Sequence, residues 1–341
     1  MKPFPWHRAV LERLLADRVH LPHALLVHGP TGIGKAEFAR ALAAGALCES
    51  PRAGLACEAC VSCHWFSQGN HPDFREIIPE ADAEDDAEPT EAQPAAKSEK
   101  AKSLVIKIDQ IRAVADFMAL STHRAGYRVL LVHPAEAMHS AAANALLKTL
   151  EEPPPLTLIV MVSDRPARLL ATIRSRCRLL ALPMPPSAEA LQWLRQSGVA
   201  QPETALASAG GAPLLARDLA EPDEAEMRRR LLAELARPSG ADVVLFAATV
   251  ERGSVERFIY WMQTWVHDLV RTRLAGDARH HGDFGPALHA RARAASLEAL
   301  FDLERTLTEA RRLSSHPLNA RLLAEHLLMA YNRATSGTMG P

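Results

Sequence analysis

A chain of 341 residues, 48% hydrophobic and 23% charged, is long enough for two or three domains and has a globular composition. Its net charge of −1 excludes a global basic field, so any contact with DNA has to come from a local patch or through partners. No uninterrupted apolar stretch is long enough to span a membrane and MKPFPWHRAV lacks an apolar signal core, so a cytoplasmic protein with reduced cysteines is expected.

Residues 5–19 (PWHRAVLERLLADRV) read as a short amphipathic helix with Val10, Leu11, Leu14 and Leu15 on its apolar stripe. HALLVHG (23–29) is a short apolar run ending in glycine, the pattern of a buried parallel strand. GPTGIGKAEF (29–38) follows and is nearly a Walker A phosphate loop, G-x-x-x-x-G-K-[ST]. A helix through AEFARALAAGALC completes the strand–loop–helix context such a loop requires.

Cys48, Cys57, Cys60 and Cys63 are spaced C-x8-C-x2-C-x2-C. Four thiolates close a tetrahedral Zn²⁺ site with no open position, so the metal is expected to be structural. Binding of that kind supplies roughly 10 kcal/mol to a loop with little core of its own. His64 and His71 lie nearby, but four cysteines suffice; Cys177, far away in sequence, is expected in a core.

Residues 80–102 (EADAEDDAEPTEAQPAAKSEKAK) hold almost no large apolar side chain and are expected to be a disordered insertion without a readable role. SLVIKID (103–109) reads as a strand, QIRAVADFMALS as a helix and RVLLVH (128–133) as a buried strand. SAAANALLKTLEE (140–152) is a helix with Leu146, Leu147 and Leu150 on one face, stopped by Pro153–Pro155. LTLIVMVS (156–163) is a further strand. The alternation predicts an α/β domain over 1–183 with a parallel sheet in three layers. Strand signals then cease: PMPPS opens a small helical lid over 184–222, and a break near EPDE precedes an all-α region over 223–341. There Phe258, Trp261, Trp265 and Leu269 share one helix face, a core or subunit contact rather than a ligand site.

The phosphate loop is chemically incomplete. Gly29, Gly32 and Gly34 keep the backbone option for phosphate oxygens, and Lys35 keeps the point charge. Ala36 stands where a hydroxyl would hold Mg²⁺. RVLLV ends in His133-Pro134-Ala135-Glu136, with no acidic pair where strand end and metal would meet and Glu136 three residues late. Losing both metal-side groups argues against hydrolysis and against Mg²⁺, while ATP binding without hydrolysis stays open.

The P-loop strand, the four-cysteine insertion, NALLKTLEEPP (144–154) and IRSRC (173–177), in this order, closely resemble the bacterial DNA polymerase III clamp-loader subunits of the AAA+ family. The match runs over most of residues 5–220, and HPLNARLLAEHLLMAY is similar to the family's collar. The motor subunits, gamma and tau, carry an intact Walker A and an Asp-Glu Walker B; this chain resembles the type with a degraded site that keeps Ser-Arg-Cys. In GGAPLLARD, Leu214 stands at the motors' second-domain sensor arginine, with Arg217 three residues later. The resemblance implies a ring-like pentamer with gamma or tau and delta subunits that places a sliding clamp on primed DNA. It assigns Arg176, beside Ser175, as an arginine finger for a neighbour's ATP, and puts Lys148 near the chamber that takes DNA. The rival readings are an active ATPase motor in which another acid replaces the Walker B pair, and a zinc-dependent nucleic-acid-binding module. The charge balance and the lack of an aromatic–basic cluster oppose the second.

Overall fold

The computed structural model describes residues 2–82, 103–119, 122–123, 126–237, 242–314 and 319–336. It divides into two units, Met1–Met184 and Pro185–Pro341. In the first, Arg8–Leu15 (α1), Ala24–His28 (β1), Lys35–Leu47 (α2), Val61–Ser67 (α3), Phe74–Ile77 (β2), Ile108–Ala119 (α4), Arg128–Val132 (β3), Ser140–Glu151 (α5), Thr157–Ser163 (β4), Ala171–Arg174 (α6) and Arg178–Ala181 (β5) follow in order.

All five strands are parallel, in the order β2-β3-β4-β1-β5. The runs ALLVH, RVLLV and TLIVMVS are buried on both faces because they occupy the three central positions. Leu26, Leu130, Val132, Ile159 and Met161 pack with Ile111, Val114, Leu146 and Leu150 of α4 and α5. The alternate residues Leu25, Val27, Val129, Leu131, Leu158 and Val160 are fully buried too, on the face where α2 lies against β1, β3 and β4. This gives the expected three layers.

Several local readings need correction. The helix expected over 5–19 is a 3₁₀ turn (Pro5–His7), α1 and a second 3₁₀ turn (Arg18–His20). Leu11 and Leu15 are buried, whereas Val10 and Leu14 are only half-buried. SLVIKID is not a strand. Only Ile106 pairs, through a single bridge to Met138, while Leu104 and Val105 are exposed. Its chain turns into α4 at Ile108, where the Gln110 side chain accepts the Lys107 N–H at 2.9 Å. Of the expected insertion, residues 80–82 form a short 3₁₀ turn, and Lys107 holds Glu80 at 2.8 Å; 83–102 lie outside the described residues. Strands β2 and β5 and helix α3 are additions that the sequence reading did not contain.

In the second unit the described residues form helices without strands: Ser187–Gln196 (α7), Pro202–Ser208 (α8), Pro213–Leu219 (α9), Pro222–Ala236 (α10), Asp242–Ala247 (α11), Val255–Ala275 (α12), Gly285–Ala294 (α13), Leu297–Leu313 (α14) and Ala320–Thr335 (α15). Phe258, Trp261, Trp265 and Leu269 are all at most 1% exposed, so the aromatic stripe of α12 is core. Trp265 Nε1 donates to the Tyr331 hydroxyl at 3.0 Å, which donates to the Leu235 carbonyl at 2.6 Å, whereas Trp261 Nε1 is buried with no hydrogen-bond partner among the described residues. The buried Asp268 carboxylate accepts the N–H groups of Arg279, His280 and His281 at 2.8–2.9 Å, pinning the chain after α12.

Candidate functional site

The loop between β1 and α2 lies at the C-terminal end of the sheet, where β1 is flanked by β4 and β5. Open α/β sheets bind ligands at such a switch point. The glycines at the two ends of this turn are required by close approach. A Cβ on Gly29 would stand 2.4 Å from the Leu182 carbonyl oxygen, and one on Gly34, at φ +87°, would stand 2.6 Å from the Phe4 ring. Gly32 is also left-handed, at φ +79°. Helix α2 begins at Lys35, so Gly29, Gly32 and Gly34 lie in the turn from β1 into α2 and Lys35 is the first residue of the helix.

What fills that turn is a side chain of the protein. Lys35, only 5% exposed, points its ammonium at Asp164 Oδ1 (2.5 Å) and the Pro30 carbonyl (2.5 Å). Thr31 Oγ1 donates to the other Asp164 oxygen at 2.9 Å. Asp164 follows β4, one residue beyond the pairing of His28 with Ser163, so the sheet register aims it at the loop. Its own N–H is held by Glu136 Oε1 at 3.0 Å. Sequence reasoning set Glu136 aside and missed Asp164. The available signal was position, since Asp164 is the first polar residue past the apolar strand that neighbours β1.

Ala36 is 8% exposed and offers no hydroxyl, and His133-Pro134 follow β3. Burial pushes His133 below the usual histidine range, so it is a neutral imidazole that follows β3. The segment before α1 covers the loop. Trp6 Nε1 donates to the Ile33 carbonyl at 3.0 Å, and Phe4 stacks on Trp6 with centroids 4.8 Å apart. His7, 2% exposed, packs edge-on to Phe38, and neither ring nitrogen has a hydrogen-bond partner among the described residues. Burial, with Lys35 as a second cause, brings its pKa down to about 4.

The four cysteine sulfurs converge, all within 4.8 Å of one another. Cys48 and Cys60 are 4.0 Å apart and Cys57 and Cys63 3.9 Å apart, against about 3.8 Å for the edge of a tetrahedron with Zn–S bonds of ~2.3 Å. N–H groups of Cys57, Cys60 and Cys63 point at the sulfurs of Cys48, Cys57 and Cys60 at 3.3–3.4 Å, an arrangement that stabilises thiolate charge. Hydrogen bonds from the Ala59 and Cys60 backbone lower the Cys57 pKa to about 6. The donor set fits a structural metal. His71 stands outside it: its Nδ1 accepts the Asp73 N–H, so its proton lies on Nε2, which donates to Ser62 at 2.8 Å. Cys177 is core, its thiol pushed up to about 12 by burial.

Ser175 and Arg176 follow α6. Arg176 is about one-third exposed and bonds the Thr172 carbonyl at 3.0 Å and Glu151, at the end of α5, at 2.6 Å. Lys148 is exposed on α5. In the helical unit, Arg217 pairs with Asp218 at 3.0 Å, and Leu214 is half-buried on α9.

A parallel five-stranded sheet with a phosphate loop after β1, one of its three inner strands, and a four-cysteine insertion after the next helix defines an AAA+ P-loop protein of the clamp-loader type. A sequence profile described as "DNA polymerase III, delta subunit" matches residues 8–186, and one described as "DNA polymerase III, delta subunit, C terminal" matches 222–332. Three curated relatives are each named DNA polymerase III subunit delta'. The Pseudomonas aeruginosa protein is 39% identical over 63% of this chain, the alignment spanning 61% of that protein's length. The Escherichia coli protein is 33% identical, covering 83% of this chain and 78% of its own, and the Yersinia pestis protein 30% identical, covering 98% and 97%. The chain belongs to the DNA polymerase III delta/delta' family. Among the described residues, no helix is long and apolar enough to cross a membrane.

Proposed function

We propose that this chain serves as the delta prime subunit of a bacterial clamp loader: it hydrolyses no ATP, forms a wall of the ring, and supplies Arg176 to the ATP site of a neighbouring gamma or tau subunit. The observation that carries this reading is the contrast between its two nucleotide-related features. The cis site has Ala36 and His133 where metal-side groups belong, and its lysine is spent on Asp164. The Ser-Arg-Cys arginine remains at the surface. A guanidinium delivered in trans stabilises charge on a transferring phosphoryl group and is worth about 10³–10⁵ in rate. The four-cysteine cluster would hold Zn²⁺ as a structural brace, and residues 184–222 and 223–341 would act as lid and oligomerising collar. Delta, the sliding clamp and primed DNA are then partners through the complex, in the cytoplasm.

The test is ATP turnover by a reconstituted loader with clamp and primed DNA, comparing the intact chain with Arg176→Ala. A loss of turnover with the pentamer still assembled is expected. Unchanged turnover would make Arg176 structural and this reading wrong.

A second reading is favoured by one observation. Asp164 and Glu136 converge beside the loop, and Glu136 Oε2 is buried without a hydrogen-bond partner among the described residues. In this alternative the two acids replace the Walker B pair of an active motor. Mg²⁺-dependent ATP turnover by the isolated chain separates it from the first.

A further inference from the structure

We propose that Asp164 is a built-in gate that keeps this phosphate loop empty, its carboxylate standing in for the anion that Lys35 would otherwise bind. The proposal rests on the reading that the chain does not turn over nucleotide, and it adds the residue responsible for the state of the site.

The geometry carries the argument. A P-loop lysine binds phosphate as a point charge, and this ammonium already has a carboxylate oxygen at 2.5 Å and a carbonyl at 2.5 Å. The loop's hydroxyl, Thr31, is committed to the second oxygen of the same carboxylate. The Asp164 N–H donates to Glu136 at 3.0 Å, which ties the backbone of the gate to the sheet end rather than to the loop. The Lys35 side chain is 4% exposed and that of Asp164 34%, so water screens the carboxylate end of this pair while the ammonium end is buried. A nucleotide entering here faces two costs. It has to break the existing pair, which leaves a carboxylate unmatched, and it has to bring its own negative phosphates up to that carboxylate. Like charges so juxtaposed are strongly unfavourable. The lack of a hydroxyl at Ala36 would by itself weaken metal binding and leave the phosphate cradle usable; Asp164 closes the cradle itself.

The prediction is a gain of binding. The full-length chain with its metal is compared with Asp164→Asn, Asp164→Ala and Asp164→Asn/Lys35→Ala by calorimetry and thermal shift, using ADP and ATP with and without Mg²⁺. Wild-type chain is expected to show no saturable binding and no nucleotide-dependent rise in Tm. Both single variants are expected to bind about tenfold or more tighter, with a Tm that climbs with nucleotide even where the substitution lowers the starting value. Removing Lys35 should cancel the gain. If neither variant binds better than wild type, or if wild type binds nucleotide without turning it over, the gate is wrong while the non-hydrolysing reading stands. Mg²⁺-dependent turnover by wild type overturns both, and makes Asp164 a metal-side acid.

Discussion

Substituting Ser62 by alanine should loosen the tie between the cysteine module and the sheet. Ser62 and His71 are 1% and 2% exposed. The Ser62 hydroxyl donates to the Leu47 carbonyl at the end of α2 (2.7 Å) and accepts the Nε2–H of His71 (2.8 Å). His71 in turn accepts the N–H of Asp73, whose carboxylate lies 3.6 Å from Arg128 on β3. One oxygen thus joins the end of α2, helix α3, the turn into β2 and, at one remove, the central sheet. Alanine leaves a buried imidazole N–H and a buried carbonyl unmatched. Each such group costs about 1–3 kcal/mol, and partial relaxation brings the pair to about 2–4 kcal/mol. Hydrogen exchange read by mass spectrometry localises the effect: amides over 61–77 should exchange roughly 30- to 1000-fold faster, while the helical unit is unchanged. Replacing His71 by phenylalanine in the same chain should cost less than the sum of the single changes, because donor and acceptor then leave together. Acceleration under about tenfold would refute this account of what anchors the module.

Metal analysis of the purified chain should find about one Zn²⁺ per molecule, and chelation should speed exchange over 48–67 while sparing the helical unit; a chain free of metal at full stability would remove the brace. Acidification should destabilise both units. His7 falls to about 4 and His281 to about 3, both chiefly through burial, so between these values and 6.5 the unfolded chain binds more protons than the folded one. Stability is therefore full above about pH 6.5 and declines as pH drops, by up to about 3 kcal/mol for His7. Denaturation midpoints at pH 7 and pH 5 check this, and His7→Phe should flatten the dependence in the α/β unit alone. Gly29→Ala should lower stability by about 2–4 kcal/mol, because its Cβ would stand 2.4 Å from a backbone oxygen that cannot step aside; an unchanged melting temperature would contradict that packing.

How far the sequence reached follows from where its information is local. ALLVH, RVLLV and TLIVMVS declared themselves because central parallel strands are apolar on both faces. The edge strands did not. FREI carries Arg75 and Glu76, the latter held by Arg40 of α2 at 2.7 Å, and in RLLA most residues remain exposed. SLVIKID misled for the converse reason: its β-branched composition is satisfied by one buried residue, Ile106, in a loop entering a helix. Glycine spacing and four clustered cysteines likewise announced the phosphate loop and the metal-fitting cluster, since both are set by contiguous covalent geometry. The condition of the loop was decided elsewhere. Thr31 and Asp164 are 133 residues apart, and Arg176, in the turn after α6, meets Glu151 at the end of α5. Sequence by itself determined that a phosphate loop and a four-thiol cluster exist and that the loop lacks its metal-side hydroxyl. Only the tertiary structure, by setting β4 beside β1 in register, decided that a carboxylate of the chain occupies the lysine, because strand pairing and not chain proximity brings those two charges together.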